Sequence, residues 1–437
     1  MKKDLVERWP GIFFREIRLA RDLYGLIVGS LLLALVITGL AGAELYARHV
    51  QGYLFWSWPL AKSYFFELDR LKLWNRRFYE KKLEYFSGWP VKLELFDADK
   101  ATPRYLFKPS LRMTRQGTNT LVPSGPNEDV FWSSNSWGFR GPEVSVKKPS
   151  SVIRIVCLGA STTEGSQGDQ ETYPYFLEQE LRRVLPNHAI EVINAGHHGQ
   201  GIDDLLEILR QRVMPLEPDI VIFYETSNNI NFAEFTKDIP CKMGFPNGDC
   251  WLHPYPGWYR WLYKHSAIFV LLSNRLARGS HTPQGMPHEF DNGSLKPSAI
   301  HYKDVLRHIV GETLAHGSTM VLSSFVTLAH EGLEVSYEDN PLLFNDLYMK
   351  WYPFTPGELE RIYQHFNRQS AEVAREFRVP HVDVAAKFPR DSRYFPFDLI
   401  HLSPEGNKLL ATIFATYLAE KVLPEFTNER QRETRER

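Results

Sequence analysis

Four short stretches of this chain carry side chains suited to one kind of chemistry. The first is Leu158-Gly159-Ala160-Ser161-Thr162-Thr163-Glu164-Gly165, and the second is Asn194-Ala195-Gly196-His197-His198-Gly199. The third is Glu225-Thr226-Ser227-Asn228-Asn229, and the last is Asp398-Leu399-Ile400-His401. Between them they offer a serine hydroxyl, a glycine, a carboxamide and an Asp/His pair. That set is sufficient for acyl transfer through a covalent intermediate, provided a fold brings it to one place.

The elements that would do so are legible from residue 152 onward. Apolar runs predict strands at Val152–Leu158, Ile190–Asn194, Asp219–Tyr224, Thr319–Phe325 and Pro380–Val384. Amphipathic stretches predict helices at Tyr173–Leu185, Asp204–Met214, Asp304–His316, Pro356–Phe377 and Ser403–Lys421. Ser403 is the expected N-cap of the last helix, with Pro404 in its first turn. Short, nearly continuous apolar strands alternating with helices predict a parallel sheet covered on both faces. Sites in such sheets form outside the carboxyl ends of the strands, where these loops fall. An aromatic-rich excursion over residues 231–303 interrupts the alternation, and long excursions of this kind more often carry function than scaffold.

In these residues the chain resembles the SGNH, or GDSL-type, hydrolase superfamily, and the resemblance covers roughly residues 150–422. It implies a flavodoxin-like three-layer α/β/α sandwich with a five-stranded parallel sheet. Gly159-Ala160-Ser161 matches the Gly-Asp-Ser block and would make Ser161 the nucleophile. Gly199 matches the second-block glycine, and Thr226-Ser227-Asn228-Asn229 matches the Gly-x-Asn-Asp block, which would make Asn228 an oxyanion-hole donor. Asp398-Leu399-Ile400-His401 matches the Asp-x-x-His block without change. The lead-in Asn135-Ser136-Trp137-Gly138-Phe139-Arg140-Gly141-Pro142-Glu143 is similar to the segment before the catalytic domain in membrane-anchored bacterial members. Ala160, Thr226 and Asn229 depart from the blocks, which puts loop geometry and substrate preference in question while leaving the three reacting groups intact.

The roles follow from residue type. Ser161 is unreactive at its own pKa and needs a base, and His401 suits that task because imidazole titrates near neutrality. Asp398 can accept from Nδ1 of His401 and fix its tautomer. The backbone N–H groups of Ser161 and Gly199 and the side chain of Asn228 would donate to the developing oxyanion.

Other groups near these loops have competing readings. His197 and His198 lack a third metal ligand at a characteristic spacing, so they are expected to line solvent. Glu164 and Glu225 either shape specificity or are simply solvated carboxylates. No His-Glu-x-x-His and no Walker-type loop is present, and no metal or cofactor is expected. Thr163 stands where the second glycine of a Gly-x-Ser-x-Gly elbow would be, which argues against an ordinary α/β-hydrolase. The aromatics Trp251, Tyr255, Trp258, Tyr259 and Trp261 suit stacking on sugars, packing or membrane contact equally well.

Towards the N-terminus, Leu23 to Ala43 runs without a charge. At 1.5 Å per residue this spans about 31 Å, enough for a hydrocarbon core roughly 30 Å thick. Lys2, Lys3, Arg8, Arg15, Arg18 and Arg21 precede it, whereas Arg48 and Lys62 are the strong cations that follow. That bias predicts a cytoplasmic residue 1–22 segment, an anchor over 23–43 and an exported remainder. Tyr46, Tyr53, Phe55, Trp56 and Trp58 fall where an interfacial aromatic belt would lie. A cleaved signal peptide is the rival, since Ala41-Gly42-Ala43 fits a small-x-small site, but both the segment before the run and the run itself are long for one. Residues 44–150 are expected to form a stalk helix (60–88) and an irregular lead-in, residues 151–422 the hydrolase domain, and residues 423–437 a polar tail.

Composition narrows the classes further. Among 437 residues, 51 Lys+Arg face 52 Asp+Glu, and the formal net charge of −1 removes the footprint of a nucleic-acid binder. Hydrophobic residues at 43% and charged residues at 24% are ordinary for a globular chain, which excludes extended disorder. Of three cysteines, Cys157 sits in an apolar run, and Cys241 and Cys250 flank a loop in which pairing and free thiols both fit. The expectation is a membrane-anchored extracytoplasmic serine esterase, periplasmic or extracellular, acting on O-acyl esters, O-acetyl foremost, of envelope or exported polysaccharide. Its expected partners are an acylated carbohydrate, the bilayer through residues 23–43 and a membrane protein. The alternatives are an O-acyltransferase with the same triad and a catalytically silent binding module of a polysaccharide assembly.

Overall fold

The computed structural model describes residues 9–51, 96–97, 106–107, 109–116, 120–125, 128–165, 168–237, 256–276, 288–291, 293–336, 339–396 and 398–424. The expected stalk helix over 60–88, the Cys241/Cys250 pair, Trp251, Tyr255 and the tail beyond residue 424 lie outside the described residues. The chain divides into two compact units, one comprising residues 1–73 with 256–279 and the other 74–255 with 280–437.

In the larger unit the expected strands form. They are β1 (Val152–Gly159), β2 (Ala189–Gly196), β3 (Ile220–Tyr224), β4 (Thr319–Ser323) and β5 (His381–Val382). They make one five-stranded parallel sheet in the spatial order β5-β4-β3-β1-β2, the flavodoxin-like arrangement. β3 is buried at every position, as a central strand covered on both faces must be. Helix α2 (Tyr173–Val184) packs with α8 (Pro404–Lys421), while α6 (Pro297–Ala315) packs with both α3 (Ile202–Ile208) and α7 (Pro356–Phe377). These two groups supply the outer layers of the sandwich.

Local chemistry sets the helix starts. The Ser403 hydroxyl accepts from Gly406 N–H ahead of Pro404, as expected, and Thr355 and Glu358 form a reciprocal capping box ahead of α7. α6 begins at Pro297, seven residues before the expected Asp304, because proline at the first helical position needs no N–H partner. α3 is shorter than expected, since the chain loosens into a π-type turn at Leu209–Val213.

The lead-in joins the same unit. Its strands Arg112–Gln116, Thr120–Pro123 and Trp132–Ser133 form a small antiparallel sheet over a core of Phe107, Met113 and Trp132. Further along, Arg140 bridges to Asn194 at the outer edge of β2.

The smaller unit contains α1 (Trp9–Gln51), α4 (Gly257–His265) and α5 (Ala267–Leu276). α1 extends beyond the charge-free run at both ends, and its Leu26–Arg48 portion is long and apolar enough to cross a membrane. Helix formation does not stop at the first charge, because the backbone hydrogen bonds of a helix do not depend on side-chain polarity.

Candidate active site

β1 and β2 run in register with Gly159 opposite Gly196, and the chain turns sharply after Gly159. Ala160 leaves the strand, and its carbonyl accepts from Thr163 and Glu164 N–H at 3.0 and 2.9 Å. Ser161 therefore begins a helical turn, Ser161–Glu164, at the carboxyl end of β1. Thr163 Oγ1 ties that turn to β3 by donating to the Tyr224 carbonyl at 3.2 Å. A Cβ on Gly196 would stand 2.1 Å from Glu164 N, so only glycine lets the turn rest on the end of β2.

Asp398 and His401 arrive from the loop before α8. Asp398 Oδ1 accepts from the backbone N–H of Ile400 and of His401, at 2.9 and 2.7 Å, which folds the Asp-x-x-His spacing into a turn. Asp398 Oδ2 lies 2.6 Å from His401 Nδ1, and His401 Nε2 lies 2.9 Å from Ser161 Oγ. With Nδ1 donating to the carboxylate, Nε2 is the acceptor that faces the serine hydroxyl. Burial works against the Asp398 carboxylate, yet the charge and hydrogen bond of His401, aided by Lys350, hold it well below the usual carboxylate range. Ser161 and His401 are both buried, so an approaching ester would meet them in a setting of low dielectric.

Gly199 adopts φ +72°, a left-handed backbone that glycine takes without strain. Asn228 sits in the loop after β3, its N–H donating to Glu225 Oε1 at 2.8 Å and its Nδ2 donating to the Gln200 carbonyl at 2.9 Å. That second bond joins the loop of Gly199 to the loop of Asn228. Asn229 adds another, accepting from Ile202 N–H at 2.7 Å, so the departure from aspartate there keeps an oxygen acceptor. Ala160 loses an acidic side chain relative to the family block, while its N–H reaches the Glu225 carboxylate.

Two expectations need correction. Glu164 and Glu225 are not solvated: both are buried, and burial pushes each up to about 8. Glu225 acts locally as the acceptor that holds the Asn228 loop. His197 does not line solvent either. It is buried, with Nδ1 3.3 Å from the Ala195 carbonyl, Nε2 3.2 Å from the Gly138 carbonyl, and its ring stacked on Phe107. His198 is partly buried; burial first and the charge of His401 second push it down to about 4, which leaves it a weak base.

Sequence reasoning missed three contributors. Asp346 Oδ2 accepts from Leu399 N–H at 3.1 Å and Asp346 Oδ1 pairs with Lys350 at 2.9 Å, which braces the Asp398 loop from behind. Burial, with the like charge of Asp398, pushes Asp346 up against the opposing pull of Lys350. Arg140 is the third: its Nη1 donates to the carbonyls of Glu164 (2.8 Å) and Gly165, and its Nε pairs with Asp169 at 2.9 Å. Asp346 and Lys350 stand at a spacing common on any helix surface, so nothing in the sequence separates them from solvated pairs. Among the described residues, no group of three His, Cys, Asp or Glu side chains converges as a metal site.

Comparison with known proteins gives the following. Residues 157–409 match the GDSL-like Lipase/Acylhydrolase family. No curated protein matches the chain. Among solved structures, it is similar to an acetyl xylan esterase, AlAXEase, at 12% identity, covering 61% of this chain and 100% of that one with a TM-score of 0.36. The lipase/acylhydrolase from Enterococcus faecalis is 14% identical, with 61% and 94% covered and a TM-score of 0.33. A putative GDSL-like lipase from Parabacteroides merdae is 17% identical, with 61% and 96% covered and a TM-score of 0.36. The family match spans more than half of the chain and contains all four motif blocks, so this protein belongs to the GDSL-like lipase/acylhydrolase family and is an ester hydrolase.

Proposed function

We propose that the protein is a membrane-anchored serine esterase that removes O-acyl groups, O-acetyl foremost, from envelope or exported polysaccharide on the far side of the membrane. The observation that carries the mechanism is the hydrogen-bonded chain Ser161–His401–Asp398. Ser161 Oγ attacks the ester carbonyl as His401 Nε2 takes its proton. The tetrahedral oxyanion is met by the N–H groups of Ser161 and Gly199 and by the second N–H of the Asn228 carboxamide. Collapse of the tetrahedral intermediate breaks the ester C–O bond, and His401 returns the proton to the departing sugar oxygen. Water, deprotonated by the same imidazole, then frees the acid and restores Ser161. The imidazolium formed at each step lies beside a carboxylate that stays ionised.

Support for the anchor comes from the apolar Leu26–Arg48 helix and from the cation bias Lys2, Lys3, Arg8, Arg15, Arg18 and Arg21 on its N-terminal side. The polysaccharide reading follows from that topology, which would put the hydrolase unit among acylated glycans rather than cytoplasmic esters. Fluorophosphonate labelling of the full-length protein tests the nucleophile: labelling lost in Ser161→Ala supports it, and equal labelling of the variant refutes it. Acetate release from O-acetylated polysaccharide, set against hydrolysis of long-chain fatty esters, tests the substrate class. Faster turnover of the fatty esters would redirect it.

A further inference from the structure

The excursion in the middle of the hydrolase sequence returns to the N-terminal helix. Residues 256–279 fall in one compact unit with residues 1–73, apart from the hydrolase residues that flank them in sequence. The contact is specific. Glu44 caps the start of α5, with Oε1 accepting from Ala267 N–H at 2.8 Å and Oε2 accepting from Ile268 N–H at 3.1 Å and Ser266 Oγ at 3.0 Å. Arg48, one turn further along α1, pairs with Glu44 at 2.9 Å and donates to the His265 carbonyl at the end of α4. A single i,i+4 ion pair thus satisfies the amide end of one helix and the carbonyl end of the other. Arg48 and its neighbour Ala47 are buried by this junction.

The junction sits on the last turn of the apolar span, because Leu26–Arg48 ends at Arg48 itself. Large apolar side chains before it, from Leu23 to Leu45, stand open, as does Tyr46. On α4, Trp258 is 63% and Trp261 53% exposed and Lys264 is exposed beside them, although Trp258 also meets Phe269 of α5 edge-on at 6.4 Å. Tyr259 makes the tighter contact with α5, edge-on to Phe269 at 4.9 Å. Trp261 stacks on His265 at 4.8 Å, which places it one contact from Arg48. On α5, Leu272 is exposed as well.

Resting on the reading of α1 as a membrane anchor, we propose that α4 and α5 form an interfacial element whose Trp258/Trp261 face lies in the headgroup layer of the bilayer. Indole rings prefer that layer, where the apolar body meets acyl chains and the N–H meets water or phosphate. Arg260 and Lys264 on the same short helix add cations suited to anionic headgroups. The Glu44–Arg48 junction sets the depth, since it holds residues 265–268 at the level where the apolar run of α1 stops. A sugar-stacking role for the two tryptophans is the lesser reading, because their helix is bound to the end of the span.

The full-length protein and its Trp258→Phe/Trp261→Phe variant, reconstituted in phosphatidylglycerol-containing vesicles, provide the test. Lipid brominated near the headgroup is expected to quench the wild-type emission, and the variant to have lost a quenched component. Loss of only unquenched emission in the variant, with both proteins retained through an alkaline carbonate wash, would overturn the interfacial element and leave the anchor standing. Extraction of the wild type by that wash would overturn the anchor and the proposal with it. Quenching of the same component by soluble acetylated xylo-oligosaccharide, and not by bromolipid, would replace the bilayer with carbohydrate. Equal fluorophosphonate labelling of the two proteins serves as the folding control.

Discussion

Arg140 Nη1 donates to the Glu164 carbonyl at 2.8 Å, so a residue outside the family-matched stretch 157–409 closes the turn that begins at Ser161. The guanidinium is buried, also serves the Gly165 carbonyl, and is neutralised by Asp169. Arg140→Ala would take a donor from both carbonyls, of which that of Glu164 keeps Asn194 Nδ2 at 3.1 Å. The partly buried Asp169 would keep Ser133 Oγ at 2.6 Å, so a loss short of the ~3–5 kcal/mol for breaking a fully buried pair is expected. Arg140→Lys keeps the charge but loses the fork geometry. Denaturant unfolding of the purified protein is expected to rank wild type above Lys above Ala, with serine labelling by fluorophosphonate falling in the same order.

Asp398→Asn should leave the fold intact and reduce kcat by about 10⁴, because the amide cannot hold the same His401 tautomer. KM should change little, since Asp398 meets His401 and not the substrate. The stability side has a definite sign. The folded carboxylate is held below its unfolded value, so its contribution is present above about pH 3.9 and drains away as pH falls. Acid titration of unfolding should show that loss in the wild type and not in the variant.

Asn228→Ala removes a side-chain donor from the proposed oxyanion site. A loss of about 2.7–4 kcal/mol in transition-state stabilisation is expected, read as a drop in kcat of roughly 10²–10³. Steady-state kinetics on a short-chain acetyl ester would measure it. A rise in KM with unchanged kcat would instead assign Asn228 to ground-state binding or to its bond with Gln200.

The buried Glu164 carboxyl makes the opposite pH prediction. Its folded value near 8 lies above the unfolded one, so the unfolded chain releases the proton first as pH rises. Stability therefore declines between about pH 4.5 and 8, with a limiting slope of about 1.4 kcal/mol per pH unit for this group. Glu164→Gln removes the proton and should gain stability over the wild type across that window, with little difference at pH 4. Thermal unfolding across the range checks it; parallel curves would show that Glu164 does not titrate there.

Gly196→Ala tests the close approach beneath the serine turn. The added methyl would stand 2.1 Å from Glu164 N, so either the turn shifts or the strand end does. A destabilisation at the upper end of about 1–3 kcal/mol is expected, together with loss of serine labelling. Normal stability with normal labelling would mean that the turn tolerates displacement.

Much of this molecule is readable from residue order alone. Val152–Gly159 and Ile220–Tyr224 are strands because their apolar runs must be covered on both faces, and such strands alternating with helices leave few alternatives to a parallel sheet. Asp398 and His401 are legible as a pair because the three-residue spacing closes its own turn, a local effect. Ser161 is legible because the strand before it ends in a glycine. Tertiary structure alone decided what has no local signature. Glu164 and Glu225 carry the same side chain as any solvated glutamate, and only the packing of turn against strand determines that they are buried. Asp346 reaches Leu399, and Arg140 reaches Glu164, across separations over which no periodicity extends. Glu44 and Ala267 meet across more than two hundred residues, because a helix start needs an acceptor and the chain brings one back to it. Residue order sets which surfaces must be hidden; which groups then share the hidden space is settled by how those surfaces fit together.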